Sequence, residues 1–326
     1  MIVYAVRRFI NYLILTMIAT VLGYILASIV LNPAARFYGR NPRPSDAAIE
    51  ASLQKLGVDP NVPVLQRTWD WISGIFVHGT FGLENNLDPV GHDLLIRSLV
   101  SLQLLLIGSI LGAILGVTLG VWGAVRQYQF SDQVVTYASY LVLATPVFVL
   151  GVLLMIAATS FNNWAGSQVI QFTGQYTPGI DGTWNQIVDR LSHLLLPTIA
   201  LTALGAAEYS RYQRNAMLDV LSADYIRTAR SKGRTRGSAM IRHGVRVALI
   251  PMSTYFAYSF GTLIAGSTFL ELIFSWHGMG ELFLTSITQN DVNAAAGTVF
   301  YLSILVLISS TLAEIFYAAL DPRVRI

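Results

Sequence analysis

Six stretches of this 326-residue chain run for 20 residues or more almost without charge, at 9–31, 98–125, 134–160, 192–213, 247–270 and 293–319. A helix needs about 20 apolar residues to cross a bilayer. Backbone inside lipid must satisfy its own hydrogen bonds, which leaves helices as the solution for such long runs. The chain is therefore expected to be an all-α integral membrane protein with six transmembrane helices. Composition agrees, since 54% of residues are hydrophobic and 12% charged, against about 25% charged in soluble domains. The absence of cysteine removes disulfides, thiolate metal sites, iron–sulfur ligation and cysteine nucleophiles.

The first stretch follows Arg7 and Arg8, as a signal peptide would. Its apolar run is longer than the roughly 7–15 residues of a signal core, and no Ala-x-Ala site follows, so a retained span is expected. With both termini placed inside, the inner side carries 14 of the 21 lysines and arginines, nine of them between Arg211 and Arg246. The positive-inside rule thus places both termini and the 214–246 loop in the cytoplasm.

The loop from about 32 to 94 is expected to be partly helical. Ile49, Leu53 and Leu56 recur at helical spacing between a cap at Ser45 and a terminating Gly57. After Pro63, Leu65, Trp69, Ile72 and Phe76 recur in the same way. Two readings stand for this segment: a docking surface for an external partner, or an amphipathic helix on the membrane interface. The loop at 161–191 shows no clear period.

Within the spans, Gly108, Gly112, Gly116 and Gly120 form one smooth stripe, suited to the close approach of another helix. Pro146, Pro197 and Pro251 are expected to interrupt spans three, four and five and to free carbonyls that need partners. Glu208, Glu314 and His193 are the notable ionisable groups at membrane depth. Glu208 lies three and six residues before Arg211 and Arg214, so an intrahelical ion pair is expected; Glu314 can snorkel or pair similarly.

No catalytic constellation is evident. The five histidines are scattered, and neither a His-Glu-x-x-His nor a Gly-x-Ser-x-Gly motif occurs. The only lysines, Lys55 and Lys232, follow Gln54 and Ser231, so the Gly-Lys pair of a phosphate-binding loop is missing. Any ATP-driven work must come from another polypeptide.

The most distinctive segment lies between spans four and five. In residues 219–236, Tyr225, Ile226 and Ala229 gather on one side of a short helix, while Arg227, Arg230 and Arg234 make a basic side. Gly233 is placed to end the helix in a left-handed turn. Charge beside anionic lipid would explain the arginines. It leaves Asp224, Tyr225, Ala229 and Gly233 unexplained.

The run Asp224-Tyr225-Ile226-Arg227-Thr228-Ala229-Arg230-Ser231-Lys232-Gly233, followed by Arg242-His243-Gly244 and Ala248-Leu249-Ile250-Pro251, resembles the cytoplasmic signature of type I ABC importer permeases. More narrowly, it is similar to the first permease subunit of dipeptide and oligopeptide importers. The stretch from Gly266 through Phe274-Ser275-Trp276-His277-Gly278-Met279-Gly280 shares that likeness, as do Leu56-Gly57-Val58-Asp59 and Phe81-Gly82. Against the general pattern Glu-Ala-Ala-x3-Gly-x9-Ile-x-Leu-Pro, the first three positions are Arg227, Thr228 and Ala229, and Gly233 holds its place. Pro251 comes 18 residues later. Both departures are usual in the peptide subfamily.

The resemblance implies residues 1–95 as a first span with an external loop, and 96–320 as the type I transmembrane core of spans two to six, with the coupling loop 214–246 inside it. It implies a coupling helix at 222–233, with Asp224, Tyr225, Ile226, Arg227, Thr228, Ala229, Arg230, Lys232 and Gly233 contacting an ATPase. It further implies a prokaryotic cell-membrane location and a non-catalytic pore subunit without cofactor of its own. ATP and Mg would be bound by two ATPase subunits or a fused pair. A second homologous permease and an external substrate-binding protein would complete the importer, with membrane lipid around it and no nucleic acid involved. Peptide is the expected cargo; nickel, glutathione or sugar stays open. A secondary transporter and a scaffold protein are the readings from other classes. The sparse midplane charge counts against the first, and the span prolines against the second.

Overall fold

The computed structural model describes residues 2–320, with side chains throughout except at 2–5, 236, 253–254, 257–266, 316 and 319–320. Arg323 and Arg325, counted above toward an inner C-terminus, lie outside the described residues. Among the described residues the regular structure is helical, with one isolated antiparallel bridge between Leu83 and Pro89. The helices are α1 (Ile2–Val30), α2 (Ala35–Tyr38), α3 (Asp46–Lys55), α4 (Val64–Ser73), α5 (Val90–Val125), α6 (Phe130–Ala144), α7 (Val147–Ala165), α8 (Thr183–Leu221), α9 (Asp224–Ser231), α10 (Arg236–Ala239), α11 (Val245–Ile273), α12 (Met279–Thr288) and α13 (Val292–Leu320). Single π-helical turns follow α4 (Gly74–His78) and α10 (Met240–Gly244).

Among the described residues, five stretches are long and apolar enough to cross a membrane: Val6–Tyr38, Val90–Val125, Val147–Ala165, Thr183–Leu221 and Val292–Ile315. The expected span at 247–270 includes 253–254 and 257–266, whose side chains lie outside the described residues. The expected third span is not one helix. It divides into α6 and α7 at Thr145 and Pro146, both of which have extended backbone (ψ 121° and 139°). A residue before proline is driven out of the helical region by the ring, so the chain breaks here. Pro197 and Pro251, in contrast, do not interrupt their spans: α8 and α11 run straight through them. Each proline removes one N–H from a long ladder, and the flanking turns carry the helix on.

The chain divides into two compact units. One comprises Met1–Arg8, Leu102–Trp276 and Ser309–Ile326, and the other Phe9–Ser101 and His277–Ile308.

In the first unit α8 is the central element, and α5 approaches it closely along a stripe of glycines. The four glycines of α5 meet Leu201, Gly205, Tyr209 and Gln213, which recur every four residues along α8. At Gly112 the helices meet glycine to glycine, for a built Cβ would lie 3.3 Å from the Gly205 Cα. At Gly120 a Cβ would stand 2.6 Å from the Ser210 carbonyl oxygen. The stripe therefore serves close helix packing, where dispersion replaces the hydrophobic drive that lipid does not supply. On another side, Ser139 of α6 meets Ser210 of α8, Oγ to Oγ at 3.1 Å.

The second unit folds the 32–89 segment as expected, on a core of Tyr24, Phe37, Ile49, Leu53, Leu56, Val58, Trp71, Val292 and Ala296. Ser45 caps α3 by accepting from the Ala48 N–H. Trp71 stacks on Tyr24 (4.8 Å between ring centroids) and donates its indole N–H to the Phe81 carbonyl at 2.9 Å. Asn293 donates to the carbonyls of Leu56 and Leu83, which pins two loops to the start of α13. With Trp71 turned inward, the Leu65, Trp69 and Phe76 side of this region is left exposed.

Burial pushes the Glu84 carboxyl up to about 7, helped by the nearby charges of Asp93 and Asp291. A folded-state pKa above the unfolded value means that the fold binds this proton more tightly than the unfolded chain does. The resulting penalty on the fold is complete above pH 7 and is relieved as pH falls toward the unfolded value near 4.5. The 32–89 segment is expected to resist proteolysis better at pH 5.5 than at pH 8, and Glu84→Gln should flatten that difference. A pH-independent digestion rate in the wild type would contradict it.

Candidate functional site

The basic segment forms α9, set between the end of α8 and the π-helical turn that leads into α11. Its residues combine an acidic first turn at Asp224 with a basic last turn at Arg230, which suits the helix dipole. The helix is shorter than the expected 222–233. Ser222 ends α8, and Ala223 lies between the helices with extended backbone and no capping side chain. Gly233 adopts φ +86°. Its N–H bonds the Arg230 carbonyl and the Arg234 N–H bonds the Ala229 carbonyl, which closes the helix in a Schellman turn.

The apolar side divides in a way that periodicity did not show. Ile226 is 3% exposed and packs with Ala124, Met217, Val220, Met240 and Ala248. Tyr225, one residue and about 100° away, stays exposed, and Ala229 is half-buried. Asp224, Arg227, Thr228, Arg230, Lys232 and Gly233 are exposed too. Asp224 and Arg227 approach only to 3.8 Å with both side chains in the open, a pair worth little. Of the nine sequence candidates, then, Ile226 anchors the helix to the bundle and seven form its outer surface. This joint ties α9 to the ends of α5, α8 and α11 in one apolar cluster. A push on α9 is a push on those helices.

One turn away lies a clamp that sequence reasoning missed. Asp132, its side chain 2% exposed at the start of α6, is held by Arg214 of α8 through two bonds of 2.7 Å. The Tyr128 N–H adds a third at 2.9 Å. Hydrogen bonds from Arg214 hold the Asp132 carboxyl below the usual carboxylate range despite its burial. Gly123 leaves the room, since a Cβ there would stand 2.9 Å from the Asp132 Oδ1. The available signal was a lone acid at the head of a helix, six residues after Arg126.

This pair also overturns the expected Glu208 ion pair. Arg214 belongs to Asp132, and Arg211 lies over the Tyr140 ring at 4.5 Å. Glu208 keeps a buried Oε2 without a hydrogen-bond partner. Glu314 does pair as expected, with Arg8 at 3.4 Å. His193 is buried and joins a polar group in the quiet 161–191 region, where Asp189 accepts from the Thr177 N–H and hydroxyl and the His193 Nε2 lies 3.1 Å from the same hydroxyl.

Among the described residues, no group of three or more His, Asp or Glu is placed to hold a metal ion. A hollow between α5 and α8 has aliphatic walls, among them Ile107, Leu111, Leu195 and Ile199, and offers no charge for recognition.

Comparison with known proteins bears on what such an arrangement does. Residues 116–326 match the family model described as "Binding-protein-dependent transport system inner membrane component". The chain is 46% identical, over 99% of both sequences, to the oligopeptide transport system permease protein OppB of Mycobacterium tuberculosis. It is 32% identical over 98% of both to the oligopeptide transport system permease protein AppB of Bacillus subtilis. It is 28% identical to the glutathione transport system permease protein GsiC of Escherichia coli, over 99% of this chain and 98% of the relative.

Proposed function

This chain belongs to the family of inner membrane components of binding-protein-dependent transport systems, and we propose that it is the permease subunit of an ATP-driven importer of di- and oligopeptides. The observation that carries the reading is the full-length likeness to permeases named for oligopeptide transport, at 46% and 32% identity. The 28% likeness to a glutathione permease favours a second reading, in which the same machinery takes a single small peptide-like solute. The partners are a second homologous permease, two ATPase subunits or a fused pair, and an external binding protein. This chain supplies the pore and no catalysis, in keeping with its missing Gly-Lys pair. Both termini are cytoplasmic, as the distribution of Lys and Arg supports.

The mechanism follows from the joint at Ile226. An ATPase grips the outer surface of α9 through Tyr225, Arg227, Thr228, Arg230 and Lys232. When the ATPase pair closes on ATP, α9 moves with it. Ile226 passes that displacement to α8 and α11 through Met217, Val220, Met240 and Ala248. The glycine stripe keeps α5 moving with α8. Helices displaced as rigid elements then open the path to one side of the membrane and close it to the other.

Gentle extraction of a tagged chain tests this reading. An ATPase pair and a second permease should co-purify; a stable lone chain or homo-oligomer would overturn the importer. Changing Arg227 and Arg230 together to Glu should lower ATPase recovery by about tenfold or more, because two attractive contacts become repulsive. If ATPase recovery stays unchanged and only lipid binding falls, the arginines serve the bilayer.

A further inference from the structure

Glu208 is an acid within the apolar part of α8, and the packing described above gives its carboxylate no task. Its depth can be read from α5. Tyr209, the next residue, packs on Gly116, which precedes Arg126 by ten residues, or about 15 Å of helix. Arg126 directly follows the last residue of α5. The carboxylate therefore lies about 15 Å of helix from the end of α5 and within the apolar stretch 192–213, inside a hydrocarbon layer of about 30 Å. It is half-buried, and its buried Oε2 has no hydrogen-bond donor. The two nearest arginines on its own helix are engaged elsewhere, Arg211 over Tyr140 and Arg214 with Asp132. A carboxylate at this depth is not stable against lipid and faces a protein partner or water.

Its surroundings are aromatic. Tyr255 of α11 lies within electrostatic reach of Glu208. The Tyr255 ring stands 3.7 Å from that of Tyr212 and 5.7 Å from that of Tyr209, with Phe256 6.1 Å from Tyr209. Tyr212, one turn along from Glu208, is exposed. A carboxylate beside electron-rich ring faces is the chemistry that selects an ammonium or guanidinium group.

We propose that Glu208, with Tyr212 and Tyr255, forms a cation-binding site on the face of α8 that is open in the single chain. The inference rests on the permease reading for its setting, and it marks this face of α8 as lining the transport path or the seam with the second permease. The cation has two possible sources, the α-ammonium of a peptide in transit or a basic side chain of the second permease.

The test uses the full complex, with Glu208→Gln and Glu208→Asp compared with wild type. Co-purification of the second permease and uptake of tri-alanine are measured on each. If the cation belongs to the peptide, Glu208→Gln assembles normally but takes up tri-alanine about tenfold more slowly, as expected for one lost charge-assisted contact. If it belongs to the partner, Glu208→Gln loses the second permease. In both cases Glu208→Asp, which keeps the charge, should retain most of the lost property. Wild-type assembly and uptake by Glu208→Gln would overturn the site. So would equal failure of the Asp and Gln variants, which would make shape and not charge the requirement. A wild-type complex that assembles but takes up no peptide would count against the importer reading and leave the assembly comparison intact.

Discussion

Leucine in place of Gly120 is expected to abolish the folded protein. A Cβ at this position would meet the Ser210 carbonyl oxygen at 2.6 Å, the Gln213 Cβ at 2.7 Å and the Arg214 backbone nitrogen at 2.9 Å. Two of those atoms are backbone and the third is a Cβ, so no flexible side chain can yield. Either α5 and α8 separate along the stripe, or α8 shifts and breaks the Asp132–Arg214 clamp. Overpacking alone costs about 1–3 kcal/mol, and stripping one partner from a buried ion pair adds about 3–5 kcal/mol. Together these are comparable with the whole stability of an ordinary domain. Gly112→Ala is the matched control, because its nearest contacts are at 3.3 Å and need only small adjustment. Size-exclusion profiles in mild detergent should show a monodisperse Gly112→Ala protein and aggregated Gly120→Leu. A well-behaved Gly120→Leu would mean that the two helices are not in this contact.

Leucine in place of Gly233 should have the opposite character, with folding kept and transport lost. Nothing lies within 4 Å of a Cβ built there, so no clash disturbs the bundle. The cost is confined to the backbone, where φ +86° is strained for a branched side chain by about 1–2 kcal/mol. That is enough to shift the Schellman turn and, on the proposed coupling, to change the angle at which α9 would meet an ATPase. The variant is expected to insert and to hydrolyse ATP when assembled, while peptide uptake falls by about tenfold or more. Gly233→Asn, which tolerates the left-handed region, should recover much of the uptake. Wild-type uptake by the leucine variant would remove Gly233 from the coupling path.

The two variants separate what could be read along the chain from what could not. The glycine stripe was legible because a four-residue spacing places small residues on one helix face. The turn at Gly233 was legible because glycine tolerates the left-handed region that ends a helix. The apolar runs gave away most of the spans, since lipid admits little else. The α3 helix was legible from its cap at Ser45 and its stop at Gly57.

Partners distant in sequence were not legible. Glu208 was matched to Arg211 and Arg214 by proximity along the helix. Six residues turn a helix by about 600°, so Arg214 points away from Glu208, and an i,i+3 pair contributes only a few tenths of a kcal/mol. The bidentate bond to Asp132, 82 residues distant, wins because it is buried and its geometry fits the guanidinium fork. Tyr225 and Ile226 are likewise near-equals by hydrophobicity. The cluster of Met217, Val220 and Met240 decided that Ile226 turns inward and Tyr225 stays outside. The sequence by itself determined the helices, the stripe and the turn, because these depend on spacing, charge and backbone freedom within a few residues. Only the tertiary structure decided which buried charge is paired and which residue anchors α9, because both depend on side chains that meet across the bundle.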